Sequence, residues 1–317
     1  MQDSYKREIS YLRLSVTELC NLRCKYCMPA EGICKKCHEE MLTEDEMIQA
    51  VEAAASLGIK KVRITGGEPL VKKNILSICR RVAKVEGVEE LCLTTNGTLL
   101  SSLAKPLKEA GVKRINLSID TLNEEKYAAM TRGGSLKDAL MGLEAALAAG
   151  FEKIKINAVL IGGFNEDEIP ALAELTRKYP VDVRFIELMP MGGEKGFGEA
   201  AFLPCDRVLQ VLPQLEKLPY DGADAKLYTL PDALGSVGLI SPLSNHFCAR
   251  CDRIRLTADG KLKPCLHSAQ ELPIKGLDFA EMKEQFRQAI LAKPACHGEL
   301  SEHCRSQAGR DMHQIGG

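Results

Sequence analysis

Lys61-Val-Arg-Ile-Thr-Gly-Gly-Glu-Pro69 is the stretch on which the fold turns. Its first five residues alternate polar and apolar side chains with the period of two that belongs to a β-strand. A Gly-Gly pair follows at once, so the chain leaves the strand through a turn where backbone can approach a ligand closely. Alone, such a turn is generic. The texture recurs, however, and Tyr11–Val16, Glu90–Thr94, Arg114–Ile119, Lys153–Leu160 and Asp182–Leu188 read as further strands. Helical stretches with recognisable ends lie between them. Thr43-Glu-Asp-Glu46 predicts a capping box with Gly58 as the stop. Ser135–Ala149 has helical apolar spacing and ends at Gly150, and Asn165–Lys178 follows the next strand. This alternation predicts a parallel sheet. Six strands fall short of the eight in a closed barrel. The expected fold is therefore α/β, a partial (βα)6 TIM-type barrel of parallel strands, with a flat doubly wound sheet as the competing architecture.

Parallel strands are usually covered on both faces and read as continuous apolar runs. Here polar residues alternate: Arg13 and Ser15; Lys61, Arg63 and Thr65; Asn116, Ser118 and Asp120; Lys153, Lys155 and Asn157; Arg184. The period of two puts each set on one face. Helices cover the outside of a barrel, so these residues are expected to line the lumen. A lumen holding Arg13, Lys61, Arg63, Lys155 and Arg184 suits something strongly anionic. Solvation on an open wet face is the plainer account of any single charge; repetition over several strands favours a site.

Beyond Pro190 the texture changes. A glycine-rich connector, Met191–Gly198, precedes an expected helix over Cys205–Leu218 and short strands over Leu227–Leu230 and Ser236–Ser241. Arg253–Thr257 and Lys261–Leu266 flank Asp259-Gly260, a hairpin signal. A last helix is expected over Phe279–Leu291. The boundary is placed near residue 225, giving a barrel over 1–225 and a smaller C-terminal α+β domain over 226–317, expected to cap it.

The chain has 317 residues, a formal net charge of −1 and no block of like charges, so neither nucleic acid nor a membrane surface is an implied partner. The absence of Trp also disfavours a base-stacking surface. No apolar run reaches membrane-spanning length, and Met-Gln-Asp-Ser-Tyr-Lys-Arg-Glu lacks the apolar core of a signal peptide, so a reducing cytoplasm is expected. There the 13 cysteines are better read as metal ligands than as disulfides. Cys20, Cys24 and Cys27 supply three thiolates, and an iron–sulfur cluster normally takes one cysteine per iron. Three ligands seat [4Fe–4S] and leave one iron open to a small molecule. Cys248, Cys251 and Cys265 repeat the arithmetic, and the Asp259-Gly260 hairpin folds Cys265 back towards the other two. Zinc usually wants four ligands. His38 with Cys34, Cys37 and one more cysteine is a minority zinc reading, and for the C-terminal trio alone zinc and a cluster are equally open.

Gly66-Gly67-Glu68-Pro69 together with Cys-x3-Cys-x2-Cys after the first strand resembles the radical S-adenosylmethionine (radical SAM) superfamily. The resemblance implies a 5′-deoxyadenosyl radical made by reductive cleavage of S-adenosylmethionine. It also implies that Gly67 meets the methionine amino group, Tyr26 and Met189 the adenosine, and Ser118 the polar end. Leu12–Thr17, Arg63–Leu70, Leu93–Gly97, Ile115–Asp120, Arg184–Met189, Phe247–Arg255 and the terminal Ile315-Gly-Gly317 resemble one family within it, over nearly the whole chain. That is the GTP 3′,8-cyclase family of molybdenum cofactor biosynthesis, known as molybdenum cofactor biosynthesis protein A.

The family likeness implies two [4Fe–4S] clusters, the second carrying the guanine base. It implies H3′ abstraction from GTP and closure of C3′ onto C8, giving 3′,8-cyclo-7,8-dihydro-GTP for cyclic pyranopterin monophosphate synthase. By motif position Arg13, Arg63, Thr94, Lys155, Arg253 and Arg255 would contact GTP, and a triphosphate would account for the basic lumen. The di-glycine tail, Gly316 and Gly317, would act with Arg253 and Arg255 in catalysis. An electron donor protein and a monomer or homodimer complete the expectation. Cys34-x-x-Cys37, Cys296-His297 and His303-Cys304 are left without a role, and Cys79, Cys92 and Cys205 are expected to pack. The competing readings are a radical SAM peptide maturase with an auxiliary cluster and a non-catalytic iron–sulfur or zinc module.

Overall fold

The structure is a computed structural model that describes residues 1–33, 37–191, 201–219, 224–298, 300 and 306–316. Six strands follow one another in chain order: β1 (Tyr11–Ser15), β2 (Lys61–Thr65), β3 (Glu90–Thr95), β4 (Arg114–Ser118), β5 (Lys153–Leu160) and β6 (Asp182–Glu187). Each pairs in parallel with the next. The crossovers are α1 (Glu44–Ala55), α2 (Ile75–Val82), α3 (Leu100–Glu109), α4 (Glu124–Thr131) with α5 (Leu136–Ala149), and α6 (Ile169–Lys178). Strand order rises without reversal and parallel crossovers share one hand, so the helices all fall on one side of the sheet. A doubly wound sheet needs a reversal of order; this is the single-sided, barrel-type arrangement.

Local chemistry sets the ends. Thr43 accepts from the Glu46 N–H while the Glu46 carboxylate accepts from the Thr43 N–H, the expected reciprocal box at the start of α1. Ser135 caps α5, and Gly150 ends it in the left-handed region at φ 69°. Gly142 lets α5 approach the turn after β3, since a Cβ there would lie 2.2 Å from the Gly97 carbonyl oxygen. The apolar parity of the strands, including Leu12, Leu14, Val62, Ile64, Leu93, Ile115, Leu117, Ile156 and Phe185, is fully buried in one cluster with Met47, Val51, Ile78, Leu107, Leu143 and Leu172 of the helices. Each such side chain stabilises by about 1.5–3 kcal/mol on burial. That face holds the sheet together and leaves the opposite face to polar residues.

The remaining elements are α7 (Asp206–Val211), β7 (Glu216–Lys217), β8 (Lys226–Thr229), β9 (Val237–Ile240), β10 (Arg253–Leu256), β11 (Lys261–Lys263), β12 (Leu272–Pro273), α8 (Phe279–Leu291) and α9 (Met312–Ile315). They do not sit apart as a cap. β9 joins β6 and β10 joins β1, both in parallel, and the order becomes β12-β11-β10-β1-β2-β3-β4-β5-β6-β9-β8-β7. The sheet is open, with β12 and β7 as its end strands among the described residues. The helix expected over Cys205–Leu218 stops at Val211, and Glu216–Lys217 instead pairs antiparallel with β8. Pro213 explains this, because it cannot continue a helix and restricts the residue before it. Asn165–Lys178 begins with a 3₁₀ turn, Glu166–Glu168, before α6. The hairpin forms as read, with Arg255 opposite Lys263. Among the described residues no helix is long and apolar enough to cross a membrane.

Candidate active site

Register builds the polar face row by row. Arg253, Tyr11, Lys61 and Glu90 are direct neighbours across β10, β1, β2 and β3. The next row runs Arg255, Arg13, Arg63, Cys92, Arg114 and Lys153. Thr94, Asn116, Lys155 and Asp182 follow, then Ser118, Asn157, Arg184 and Gly238. The sheet neutralises part of this charge itself: Lys61 meets Glu90 at 2.7 Å, Arg114 meets Glu90 at 3.1 Å and Lys153 meets Asp182 at 2.9 Å.

Above that layer Arg13, Arg63, Lys155, Arg184, Arg253 and Arg255 share one face. Tyr11, which motif reading passed over, organises them. Arg63 Nε donates to its hydroxyl, and Lys61, Arg63 and Arg253 lie 5.1, 6.0 and 5.6 Å from its ring centre. Burial opposes ionisation of the Tyr11 phenol, but the Arg63, Arg13 and Arg253 charges carry it below its ordinary range. Arg253 also forms an ion pair with Asp224. Burial, then the Arg184 charge, brings the Lys155 ammonium down to about 7. Burial and neighbouring arginines bring Arg255 to about 9 and Arg253 to about 10. Crowded buried cations are unfavourable unless an anion joins them. Asn116 Oδ1, Asn157 Oδ1 and Arg253 Nε are buried with no hydrogen-bond partner on the same face.

The first cysteine trio lies at the C-terminal end of β1, in the loop that the Gly66-Gly67 turn grips. The Gly67 N–H donates to the Thr17 carbonyl at 2.8 Å and Glu68 N–H to Leu19 at 2.8 Å. A Cβ at Gly67 would lie 2.4 Å from the Leu19 carbonyl oxygen, so only glycine permits this approach. Glu68, fully buried, accepts from Leu70 N–H, Thr95 Oγ1 and Asn96 N–H, tying the turn to the end of β3; burial lifts its carboxyl to about 7. Burial pushes the Cys20 thiol to about 11 and Cys27 to about 12, and Cys24 well up as well. After burial, Cys27, Asp120 and Cys20 raise Cys24, and Cys20 raises Cys27. Three cysteines from one loop are a donor set that fits a cluster. The Tyr26 hydroxyl donates to Asp120 Oδ2 at 2.8 Å. Thr94 Oγ1 is 3.4 Å from Arg63 Nη1, and Ser118 pairs in register with Asn157. Met189 packs against the cluster of Met191, Ala308 and Ile315.

The second trio lies at the other end of β10 and its hairpin. Burial raises the Cys248 thiol, followed by Cys265, Cys251 and Cys296. Cys251 and Cys265 also act on Arg255, so this trio adjoins the basic face. The unassigned Cys296-His297 is thereby placed beside Cys248. His246, Cys248 and His297 donor atoms lie within 4.8 Å of one another, with His297 Nε2 3.1 Å from the Pro242 carbonyl and Nδ1 2.8 Å from Gly298 O. Cys79, Cys92 and Cys205 are fully buried. Cys34, His303, Cys304 and Gly317 lie outside the described residues.

The tail joins the two regions. Arg13 Nη2 donates to the Gly316 carbonyl at 3.0 Å, and Arg255 Nη1 to Ile315 O and Gly316 O at 3.3 Å each. His313 Nδ1 lies 3.3 Å from the Cys27 carbonyl. No charge or motif in the tail signals these contacts except its terminal glycines.

Residues 14–176 match the Radical SAM superfamily, and residues 181–299 match the family described as Molybdenum Cofactor Synthesis C. The chain is 47% identical over 323 residues to the GTP 3′,8-cyclase of Alkaliphilus oremlandii (strain OhILAs), covering all of both chains. It is 48% identical over 328 residues to that of Pelotomaculum thermopropionicum, again end to end. The chain belongs to the radical SAM superfamily and, within it, to the GTP 3′,8-cyclase family. Its radical SAM fold is shared with Streptococcus suis SuiB bound to S-adenosylmethionine, at a TM-score of 0.61 and 14% identity over 87% of this chain and 64% of that one. The row Arg255–Arg13–Arg63 is contributed by both ends of the chain.

Proposed function

We propose that this protein is a GTP 3′,8-cyclase with two [4Fe–4S] clusters and S-adenosylmethionine, acting in the first step of molybdenum cofactor biosynthesis. When loaded, the first cluster would supply the one-electron reduction that cleaves S-adenosylmethionine. H3′ would pass from GTP to the 5′-deoxyadenosyl radical, and after closure of C3′ onto C8 one further electron from the donor and a proton would complete the product. The observation that carries the reading is that row of arginines, shared by β10, β1 and β2 and standing between the two cysteine trios.

In this reading Cys20, Cys24 and Cys27 hold the first cluster, and Cys248, Cys251 and Cys265 the second. The Gly67 backbone takes the methionine end of S-adenosylmethionine. Tyr26, held by Asp120, and Met189 flank its adenosine, and Ser118 its polar end. Arg13, Arg63, Thr94, Lys155, Arg253 and Arg255 take GTP, their forks and point charge suiting a triphosphate. Gly316, already bonded to Arg13 and Arg255, brings the tail against the same arginines, with Gly317 one residue beyond. An electron donor protein supplies the reducing electron, the reducing cytoplasm suits the thiolates, and the product passes to cyclic pyranopterin monophosphate synthase.

The test is anaerobic reconstitution with reductant and S-adenosylmethionine, offering GTP, ATP or a peptide in turn. 5′-Deoxyadenosine and a cyclised nucleotide are expected with GTP and little of either with ATP. Equal turnover of both nucleotides, or turnover only with a peptide, overturns the reading.

A further inference from the structure

Two buried cations far apart in sequence hold the backbone of the C-terminal cysteine trio. Arg7 comes from the N-terminal arm, with its side chain 6% exposed beside a fully buried Asp3. Its Nη1 donates to the Cys248 carbonyl at 2.7 Å and to Ala295 O at 3.0 Å, and its Nη2 to Pro294 O at 2.6 Å. Asp3 fixes the fork from behind, accepting from Arg7 Nε at 2.6 Å. Lys293, 3% exposed, donates from Nζ to the Arg253 carbonyl at 2.8 Å and to Pro264 O at 3.1 Å. Arg253 is two residues past Cys251, and Pro264 immediately precedes Cys265. Every cysteine of the trio is thus pinned within two residues of itself.

We infer that Arg7 and Lys293 are positioning residues of the auxiliary metal centre, setting its ligand geometry and its reduction potential. The inference rests on the proposed ligation by Cys248, Cys251 and Cys265. Burying a cation is costly unless its hydrogen bonds are satisfied, and here main-chain carbonyls of the ligand loops satisfy them. A [4Fe–4S] centre bound by three thiolates carries net negative charge, which nearby cations favour. Arg7 acts a second way. By holding the Pro294 and Ala295 carbonyls it fixes the segment that sets the His297 ring within 4.8 Å of the Cys248 sulfur. Hydrogen bonds to cluster sulfurs and their outer partners tune potential and affinity.

The experiment compares Arg7→Met, Lys293→Met, Arg7→Lys and Lys293→Arg with the parent full-length protein, all reconstituted with both clusters. Iron content, electron paramagnetic resonance of the reduced protein with and without GTP, the midpoint potential of each cluster and the rate of iron loss to a chelator are followed. The Met variants are expected to keep the first cluster and to lose auxiliary iron about 10-fold faster, with a displaced auxiliary signal and potential. The charge-keeping variants are expected to fall between. Unchanged auxiliary spectra and loss rates overturn the inference. So does parallel loss of both clusters in every variant, which marks general scaffold damage. If the Met variants do not fold, Arg7→Lys and Lys293→Arg decide on the same spectra. Cys265→Ser separates the two levels. If it keeps the auxiliary signal, the ligand assignment fails; if it abolishes that signal while the Arg7 and Lys293 variants keep it, only the positioning role fails.

Discussion

Gly316 and Arg13 are 303 residues apart in sequence, yet the Gly316 carbonyl accepts from Arg13 Nη2 at 3.0 Å. The penultimate residue therefore rests on the first strand of the sheet, beside the loop that carries the first cysteine trio. That contact, with the one from Arg255, makes Gly316 part of the basic face.

Gly316 should not tolerate a side chain. Its φ is 73°, and a Cβ would lie 2.3 Å from Thr65 Oγ1. Left-handed strain of about 1–2 kcal/mol adds to the collision, so Gly316→Ala is expected to lift the tail from Arg13. Cyclised product should fall at least about 10-fold, equivalent to about 1.4 kcal/mol, with iron content unchanged. Product analysis beside an iron assay checks this; a full product yield would falsify a working role for the tail.

Arg255→Lys distinguishes a fork from a charge. Arg255 Nη1 reaches both Ile315 O and Gly316 O while the side chain faces Arg13. Lysine keeps the charge but not the planar donor set. A loss of about 10- to 100-fold in kcat/KM for GTP is expected, as for one or two charge-assisted hydrogen bonds. Steady-state kinetics at saturating S-adenosylmethionine measure it. Parent-like kinetics would mean that only charge is needed.

Lys155 should make GTP affinity and fold stability run in opposite directions with pH. Its ammonium is brought from 10.5 to about 7 in the folded protein. Between those values the unfolded chain holds a proton that the folded chain lacks, so this group adds stability as pH rises through the window. Anion binding needs the charged form, so GTP affinity should decline above about pH 7. Isothermal titration from pH 6 to pH 9 should show the decline, and Lys155→Met should flatten it. The same slope in both proteins would remove Lys155 from the explanation.

Glu68→Ala should loosen the turn that grips the first trio. It strands the Leu70 and Asn96 N–H groups and the Thr95 hydroxyl, all now donating to one buried carboxylate. Unsatisfied buried donors cost about 1–3 kcal/mol each, and partial rewetting puts the expected loss on the order of 3 kcal/mol. Urea unfolding reads it, and Glu68→Gln should lose less because one acceptor oxygen survives. Equal stability of all three proteins would show that the carboxylate is not a structural tie.

Much of this is legible in the amino-acid sequence. The strands from Tyr11 to Glu187, the Thr43 capping box, the Asp259-Gly260 hairpin and the one-sided polar parity all appear where periodicity and capping chemistry put them. Apolar spacing continues past Val211, but Pro213 ends the helix there. Tyr11, Arg7 and Lys293 stayed invisible as functional groups. Nothing local marks them, and their importance comes from partners tens to hundreds of residues away.

The amino-acid order alone determined which residues share a face, because side-chain direction in a strand or helix follows from local backbone geometry. It also set which cysteines lie close enough along the chain to act together. Only the tertiary structure decided that β10 lies against β1 and that the chain end lies on Arg13. Choosing such partners is a matter of burying surface and satisfying hydrogen bonds across the whole molecule, and no short window of residues carries that information.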